Sequence, residues 1–227
     1  MRREGPVAGV VLAAGGSRRM GVPKPLLDAG GATFVARLTA SLARAGCRPV
    51  VVVGPSETGK LADEVERGRG ELVVNPGGKG GQIGSLCAAL DHLGALADPP
   101  VAVAFTPVDN PFVAPETISA LLEAWRLSHA AIALPRYGDR RGHPVVADMG
   151  LKAEFQGGGL PRGARTVVRR DPGRVLELRV DDPGVADDLD TPGRYRARLP
   201  GTSPPTAAPG GLANRATQPV RPRETPA

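Results

Sequence analysis

Five short stretches of the chain combine residue types that could bind or transfer a phosphate. The first is Leu12-Ala13-Ala14-Gly15-Gly16-Ser17-Arg18-Arg19-Met20-Gly21, with Pro23-Lys24 just behind it. Small side chains let backbone N–H groups approach a phosphate closely, and Arg19 and Lys24 bring positive charge to the same loop. Gly16 and Gly21 have the separation of a P-loop, but Val22 stands where the P-loop lysine is required. Nor does the loop carry a GxGxxG dinucleotide fingerprint. The plainer alternative is a glycine-rich turn with solvated arginines.

The second stretch is Thr106-Pro107-Val108-Asp109-Asn110-Pro111. Asp109 can hold Mg²⁺ against a triphosphate, or it can simply form a turn ahead of the proline. The third is Asp187-Asp188-Leu189-Asp190-Thr191-Pro192. Magnesium takes few protein carboxylates and completes its shell with water and phosphate oxygens, so two from distant segments suffice. The alternative there is an acidic turn capping a short helix at Thr191-Pro192. The fourth, Arg140-Arg141-Gly142-His143-Pro144-Val145, puts two guanidinium groups and an imidazole together, which suits an anionic acceptor and equally a basic hairpin. The fifth runs from Asn75 to Leu86, is glycine-rich, and leads into a helix whose first turn favours anions.

Taken together, these stretches resemble the MobA-like nucleotidyltransferases, which include the molybdenum cofactor cytidylyltransferases and guanylyltransferases. The resemblance rests on Ala-Ala-Gly, Ser-x-Arg-Met-Gly and Pro-Lys between Leu12 and Lys24, on the Asp-x-Pro motif at Asp109, on Asp-x-Asp-Thr-Pro ending at Pro192, and on Arg-Gly-His-Pro at 141–144. It covers roughly residues 7 to 196. Val108 replaces the glycine usual before the motif aspartate. The resemblance implies that Leu12, Ala13, Ala14, Gly15, Arg19, Lys24, Asn75, Gly80 and Ser85 bind a nucleoside triphosphate. Arg19, Lys24 and Asp109 would be catalytic, Asp109 and Asp190 would hold Mg²⁺ with Asp188 assisting, and Arg141 and His143 would face the acceptor. The implied reaction is transfer of a nucleoside monophosphate to a phosphorylated acceptor with release of pyrophosphate. Molybdopterin leads among acceptors on the Arg-Gly-His-Pro match, with a sugar phosphate or another small phosphate as runner-up. The 75–86 segment has neither the cytidylyltransferase nor the guanylyltransferase pattern in clean form, so CTP and GTP both stay open. A non-catalytic nucleotide-binding module is the alternative from a different class.

The elements that must position these residues alternate. Continuous Val-rich runs predict buried strands at Val7–Leu12, Val50–Val53, Glu71–Val74, Val101–Phe105 and Ala130–Leu134. Helical spacing predicts helices over Thr33–Ala45 (stopped by Gly46), Lys60–Val65, Ser85–Leu96 and Pro115–Ser128. Strands alternating with helices imply an α/β fold: a Rossmann-like three-layer α/β/α arrangement with a mainly parallel central sheet. Ligands then sit beyond the carboxyl ends of strands, and the loops after the first, third and fourth strands are the ones carrying candidates. After Leu134 the alternation weakens. Arg140–Val146, Leu176–Val180 and the segment around Asp190 form either an edge of the same sheet or a small acceptor-binding subdomain. The chain thus divides into a transferase domain over 1–199, with its acceptor-binding portion at about 135–185, and a Pro/Thr/Ala-rich tail over 200–227 expected to be disordered.

The 227 residues are 41% hydrophobic and only 3% aromatic, so the core must be Val, Leu and Ala. No stretch reaches the roughly 18 apolar residues of a membrane helix. Arg2-Arg3 followed by Val7–Ala14 imitates a weak signal peptide, but Arg18-Arg19 follows almost at once, and the chain reads as cytoplasmic. The net charge is +6, to which Arg215, Arg221, Arg223 and Glu224 of the tail contribute. With four Phe, two Tyr and one Trp, the chain lacks the aromatic and basic surface of a nucleic-acid binder. Cys47 and Cys87 are read as reduced, buried thiols.

Overall fold

Strands β1 (Val7–Leu12), β2 (Val50–Gly54), β3 (Glu71–Val74) and β4 (Ala102–Pro107) alternate with helices α1 (Phe34–Arg44), α2 (Lys60–Arg67), α3 (Gly81–Gly94) and α4 (Pro115–Leu127). The computed structural model describes residues 3–15 and 23–200. Successive side chains of β1 serve two cores: Val7 and Val11 pack on one face of the sheet, Ala8, Val10 and Leu12 on the other. This is why the run is continuously apolar instead of alternating. β2 and β4 flank β1 in parallel register and are buried along their full lengths, and β3 forms the parallel edge beyond β2.

The second half supplies β5 (Ile132–Tyr137), β6 (Arg140–Arg141), β7 (Val145–Asp148), α5 (Lys152–Gln156), α6 (Ala164–Arg170), β8 (Val175–Arg179) and α7 (Pro192–Arg198). These strands continue the same sheet. β7 inserts between β4 and β5 and runs antiparallel to both, while β8 lies parallel to β5 on its outer side. Of the two arrangements open for this region, the sheet edge is the one observed. The reversed direction of β7 has a consequence for chemistry. Val145, its first residue, pairs with Phe105 near the carboxyl end of β4. The turn before β7, which holds His143, therefore lies at the same end of the sheet as the loops after β1 and β4. A parallel strand in that position would have put its preceding turn at the opposite end.

Helices α1 and α4 cover one face, burying Leu38, Leu42, Leu121 and Trp125, and Tyr195 of α7 joins them. Helices α3, α5 and α6 cover the other with Leu86, Leu90, Phe155 and Val167. The result is the three-layer α/β/α sandwich with a mainly parallel sheet. Cys47 is buried and its thiol is pushed up to about 12 by desolvation, which leaves it unreactive at neutral pH. Among the described residues no helix is long and apolar enough to cross a membrane.

Candidate active site

Two segments far apart in sequence are stitched together at the carboxyl end of β4. The backbone N–H of Val108 donates to the Leu12 carbonyl at 3.2 Å, which anchors the post-β4 turn to the end of β1. From the other side, the N–H of Leu189 donates to the Asp109 carbonyl at 2.8 Å. Asn110 reinforces this junction. Its side chain is wholly buried, and its Nδ2 donates to Asp188 Oδ1 at 2.9 Å. These bonds hold Asp109, Asp188 and Asp190 along one cleft of about 630 Å³. Thr191 caps α7 by accepting from Arg194 N–H at 3.3 Å, with Pro192 in the first turn, so the acidic stretch also does the capping that its sequence allowed.

Lys24 opens a short 3-10 turn over Lys24–Leu26. Its ammonium donates to Asp109 Oδ2 at 3.1 Å, both side chains being mostly shielded from solvent. Leu12, Ala14, Gly15, Lys24, Ser85 and Asp109 line a second, smaller cavity of about 250 Å³ on that side. Ala13 is buried in the core behind it. Arg19 lies outside the described residues, as does the stretch 201–227 assigned to the tail. Asn75 and Ser85 use their polar atoms to shape this wall. Asn75 Nδ2 donates to the Lys79 carbonyl at 3.0 Å and to Ser85 Oγ at 3.1 Å, and Ser85 Oγ in turn donates to the Gly81 carbonyl. Gly80 caps α3 in a left-handed conformation. The loop folds so tightly onto the helix that a Cβ at Gly84 would overlap the Lys79 carbonyl oxygen.

Across the cleft, His143 N–H donates to the Val185 carbonyl at 2.8 Å. The residue is half-buried, but its ring Nδ1 is sealed from solvent and has no hydrogen-bond partner among the described residues. Burial pulls the imidazole pKa below its ordinary 6.5, the nearby Asp188 and Asp109 carboxylates opposing that shift and Arg165 reinforcing it. An unfolded chain therefore takes up this proton before the folded one does. Stability is expected to fall as the pH drops from about 6.5 toward the folded value, and a His143→Gln variant should lose that part of the slope in urea melts. Arg141 points elsewhere. Its guanidinium pairs with Glu177 of β8, which also binds Arg136, and it lines an outer chamber of about 620 Å³. The structure thus brings Asp109, Asp190 and His143 to one cleft, places Lys24 in the smaller cavity that shares Asp109, and sets Arg141 in the chamber next to the cleft. Between Arg141 and His143, a Cβ on Gly142 would collide with the Val185 carbonyl. Gly142→Ala should cost roughly 1–3 kcal/mol by overpacking, read as a lowered Tm.

Among known protein families, the MobA-like NTP transferase domain matches residues 9–175. The chain belongs to the MobA-like NTP transferase family. One relative, named nicotine blue oxidoreductase, from Paenarthrobacter nicotinovorans, is 31% identical over 195 residues, 82% of this chain and 92% of its own length. A probable molybdenum cofactor guanylyltransferase from Rhodopirellula baltica (strain DSM 10527 / NCIMB 13988 / SH1) is 34% identical over 62% of this chain and 66% of its own. The crystal structure of Rv0371c from Mycobacterium tuberculosis H37Rv superposes with a TM-score of 0.71 and 27% identity, covering 86% of this chain and 97% of that one. Rv0371c has also been solved in complex with manganese, at a TM-score of 0.65 and 23% identity over 87% of this chain and 100% of that one.

This MobA-like chain carries cleft residues beyond those singled out from the motifs. Arg162, Arg165 and Arg169, around helix α6, line the cleft, and the buried Asn110 braces its carboxylate wall through Asp188. The arginines could have been found from their spacing around Val167-Val168, which puts Arg165 and Arg169 on one helical face.

Proposed function

We propose that the protein transfers a nucleoside monophosphate from CTP or GTP to a phosphorylated, pterin-type acceptor, molybdopterin in the leading case, and releases pyrophosphate. An oxygen of the acceptor phosphate forms a bond to the α-phosphorus, and the bond from that phosphorus to the bridging oxygen of pyrophosphate breaks. The attacking oxygen is already anionic, so alignment and charge neutralisation supply the catalysis without a strong base. The observation that carries this reading is the Leu189 N–H to Asp109 carbonyl bond, which sets two carboxylate segments at the junction of a glycine-walled cavity and an arginine-bearing cleft.

In this reading the small cavity takes the triphosphate, with Lys24 and Arg19 countering its charge. The backbone of Leu12 to Gly15, shaped by Asn75, Gly80 and Ser85, holds the nucleoside. Asp109 and Asp190 are the pair that would hold a divalent cation, Mg²⁺ in our reading. Their donor set is all oxygen, and both line the same cleft. Among the described residues no three His, Cys, Asp or Glu side chains gather to hold an ion alone, which suits a metal sharing its shell with phosphate. An ion held there by Asp109 and Asp190 would supply charge neutralisation to the phosphates. A divalent-ion requirement also has support in the manganese complex of Rv0371c. His143, neutral at pH 7, faces the acceptor, and Arg141 lines its outer end.

The test is to incubate the chain with each of the four triphosphates, Mg²⁺ and candidate phosphates including molybdopterin, then identify products by mass. A nucleotidylated acceptor with equimolar pyrophosphate is expected. The kinship with nicotine blue oxidoreductase carries a second reading, redox chemistry on an organic substrate. Consumption of NADH or NADPH by the purified chain without any triphosphate would favour it, and the transferase reading would then fall.

A further inference from the structure

Helix α6 carries two kinds of arginine. Arg170 on one side, and Arg174 just after the helix, both pair with Glu154, at 3.1 and 2.7 Å. Arg165 and Arg169 face the other way, into both the inner cleft and the outer chamber, and neither has a carboxylate partner among the described residues. Their spacing of four sets two like charges side by side, and Arg165 sits in the first turn, where the helix dipole disfavours a cation. The last-turn position of Arg169 suits the dipole, but the like-charge spacing and the first-turn position of Arg165 do not help the helix. Val168, between them, packs into the core beneath the sheet, so the pair cannot turn away without unseating it.

The charges around the outer chamber point the same way. Arg136 is answered by Glu177 and Asp139, Arg141 by Glu177, and Arg140 by Asp188 at 3.7 Å. Among the described residues, the chamber-wall cations that remain unanswered are Arg165 and Arg169. His143, Val145, Val168 and these two arginines line both the cleft and the chamber, so one ligand can pass from Asp109 to the outer wall.

We infer that the acceptor carries a second anionic group, of phosphate or similar dianionic character, besides the phosphate that attacks, and that Arg165 and Arg169 hold it. The inference rests on the transferase reading for the identity of the first phosphate. The pair of arginines supplies two cationic, multidentate donors, which match a phosphate in charge and in geometry.

The experiment is calorimetric titration of the full chain with α,ω-alkane bisphosphates, propane to pentane, against the matching alkyl monophosphates. At least one bisphosphate should bind about tenfold more tightly than its monophosphate. The advantage should shrink to less than about twofold in the Arg165→Gln/Arg169→Gln double variant and persist in Arg170→Gln, and rising salt should weaken it. The double variant should melt at or above the wild-type temperature, because a like-charge pair has been removed without loss of a contact. Equal binding of mono- and bisphosphates by the wild type would overturn the inference. So would an advantage that survives the double substitution. Titration of the wild type with CTP and GTP in Mg²⁺ tests the transferase reading separately: failure there alongside an arginine-dependent bisphosphate advantage removes the reaction and leaves the anion site standing.

Discussion

Asp109→Ala should lower kcat/KM by at least about 10³-fold while the protein stays folded. The turn that carries Asp109 is fixed by backbone bonds, from Val108 N–H to Leu12 and from Leu189 N–H to the Asp109 carbonyl, and a side-chain truncation leaves both in place. Among the described residues the Asp109 side chain accepts from the Lys24 ammonium, in a pair that is 15% and 21% exposed. With both side chains largely shielded, losing this partner costs on the order of 1–3 kcal/mol. Tm should therefore fall by no more than about 10 °C, and the variant stays folded at working temperature. The functional loss is larger for two reasons. The variant removes half of the carboxylate pair assigned to the cation, and it removes the carboxylate that Lys24 bonds at 3.1 Å. Asp109→Asn keeps the shape and loses the charge, so it separates these effects from packing. It should be nearly as inactive as the alanine variant, and pyrophosphate release within tenfold of wild type in either protein would sink the assignment.

How far the sequence reveals this molecule depends on whether a feature is local. Val7–Leu12, Val50–Val53 and the Ala102–Phe105 part of the expected Val101–Phe105 run are buried on both faces and read as unbroken apolar runs, so the parallel half of the sheet was legible. The end of the sheet where the candidate residues gather followed from strand direction alone. The antiparallel insertion of β7 did not, because four residues of Val-Val-Ala-Asp say nothing about which neighbours they join. Its placement is set by tertiary pairing with Phe105 and Ala133, and only that pairing carries His143 to the side of Asp109. Helix α3 begins at Gly81, four residues before the expected Ser85, since the glycines at its start are poor helix formers held there by Asn75 and the tight loop. Asn110 was passed over for the same reason as β7. A buried amide bonded to a carboxylate 78 residues away leaves no local mark. The arginines of α6 did leave one, but a basic run on a short helix is usually a solvated face, and what distinguishes Arg165 and Arg169 is the Glu154 that answers Arg170 and Arg174 and not them.

Lys24→Ala should reduce kcat by about 10²- to 10³-fold, the range expected when one fixed positive donor is removed from a transferring phosphate. The residue begins a 3-10 turn whose Leu27 N–H returns to the Lys24 carbonyl at 3.1 Å, and Pro25 and Leu27 behind it are buried, so the backbone survives the truncation. Lys24→Arg is a sharper probe. It keeps the charge but spreads it over a planar fork, longer than the space between the 3-10 turn and Asp109 requires, and should recover only part of the rate. The double variant Lys24→Ala/Asp109→Ala decides whether the two act as a unit. If the ammonium and the carboxylate organise one phosphate-binding centre, the double loss should stay close to the larger single loss and fall far short of the product of the two. Independent roles would multiply instead. Multiplication would mean that the 3.1 Å contact between them is incidental to turnover, and that Lys24 meets the triphosphate without help from Asp109.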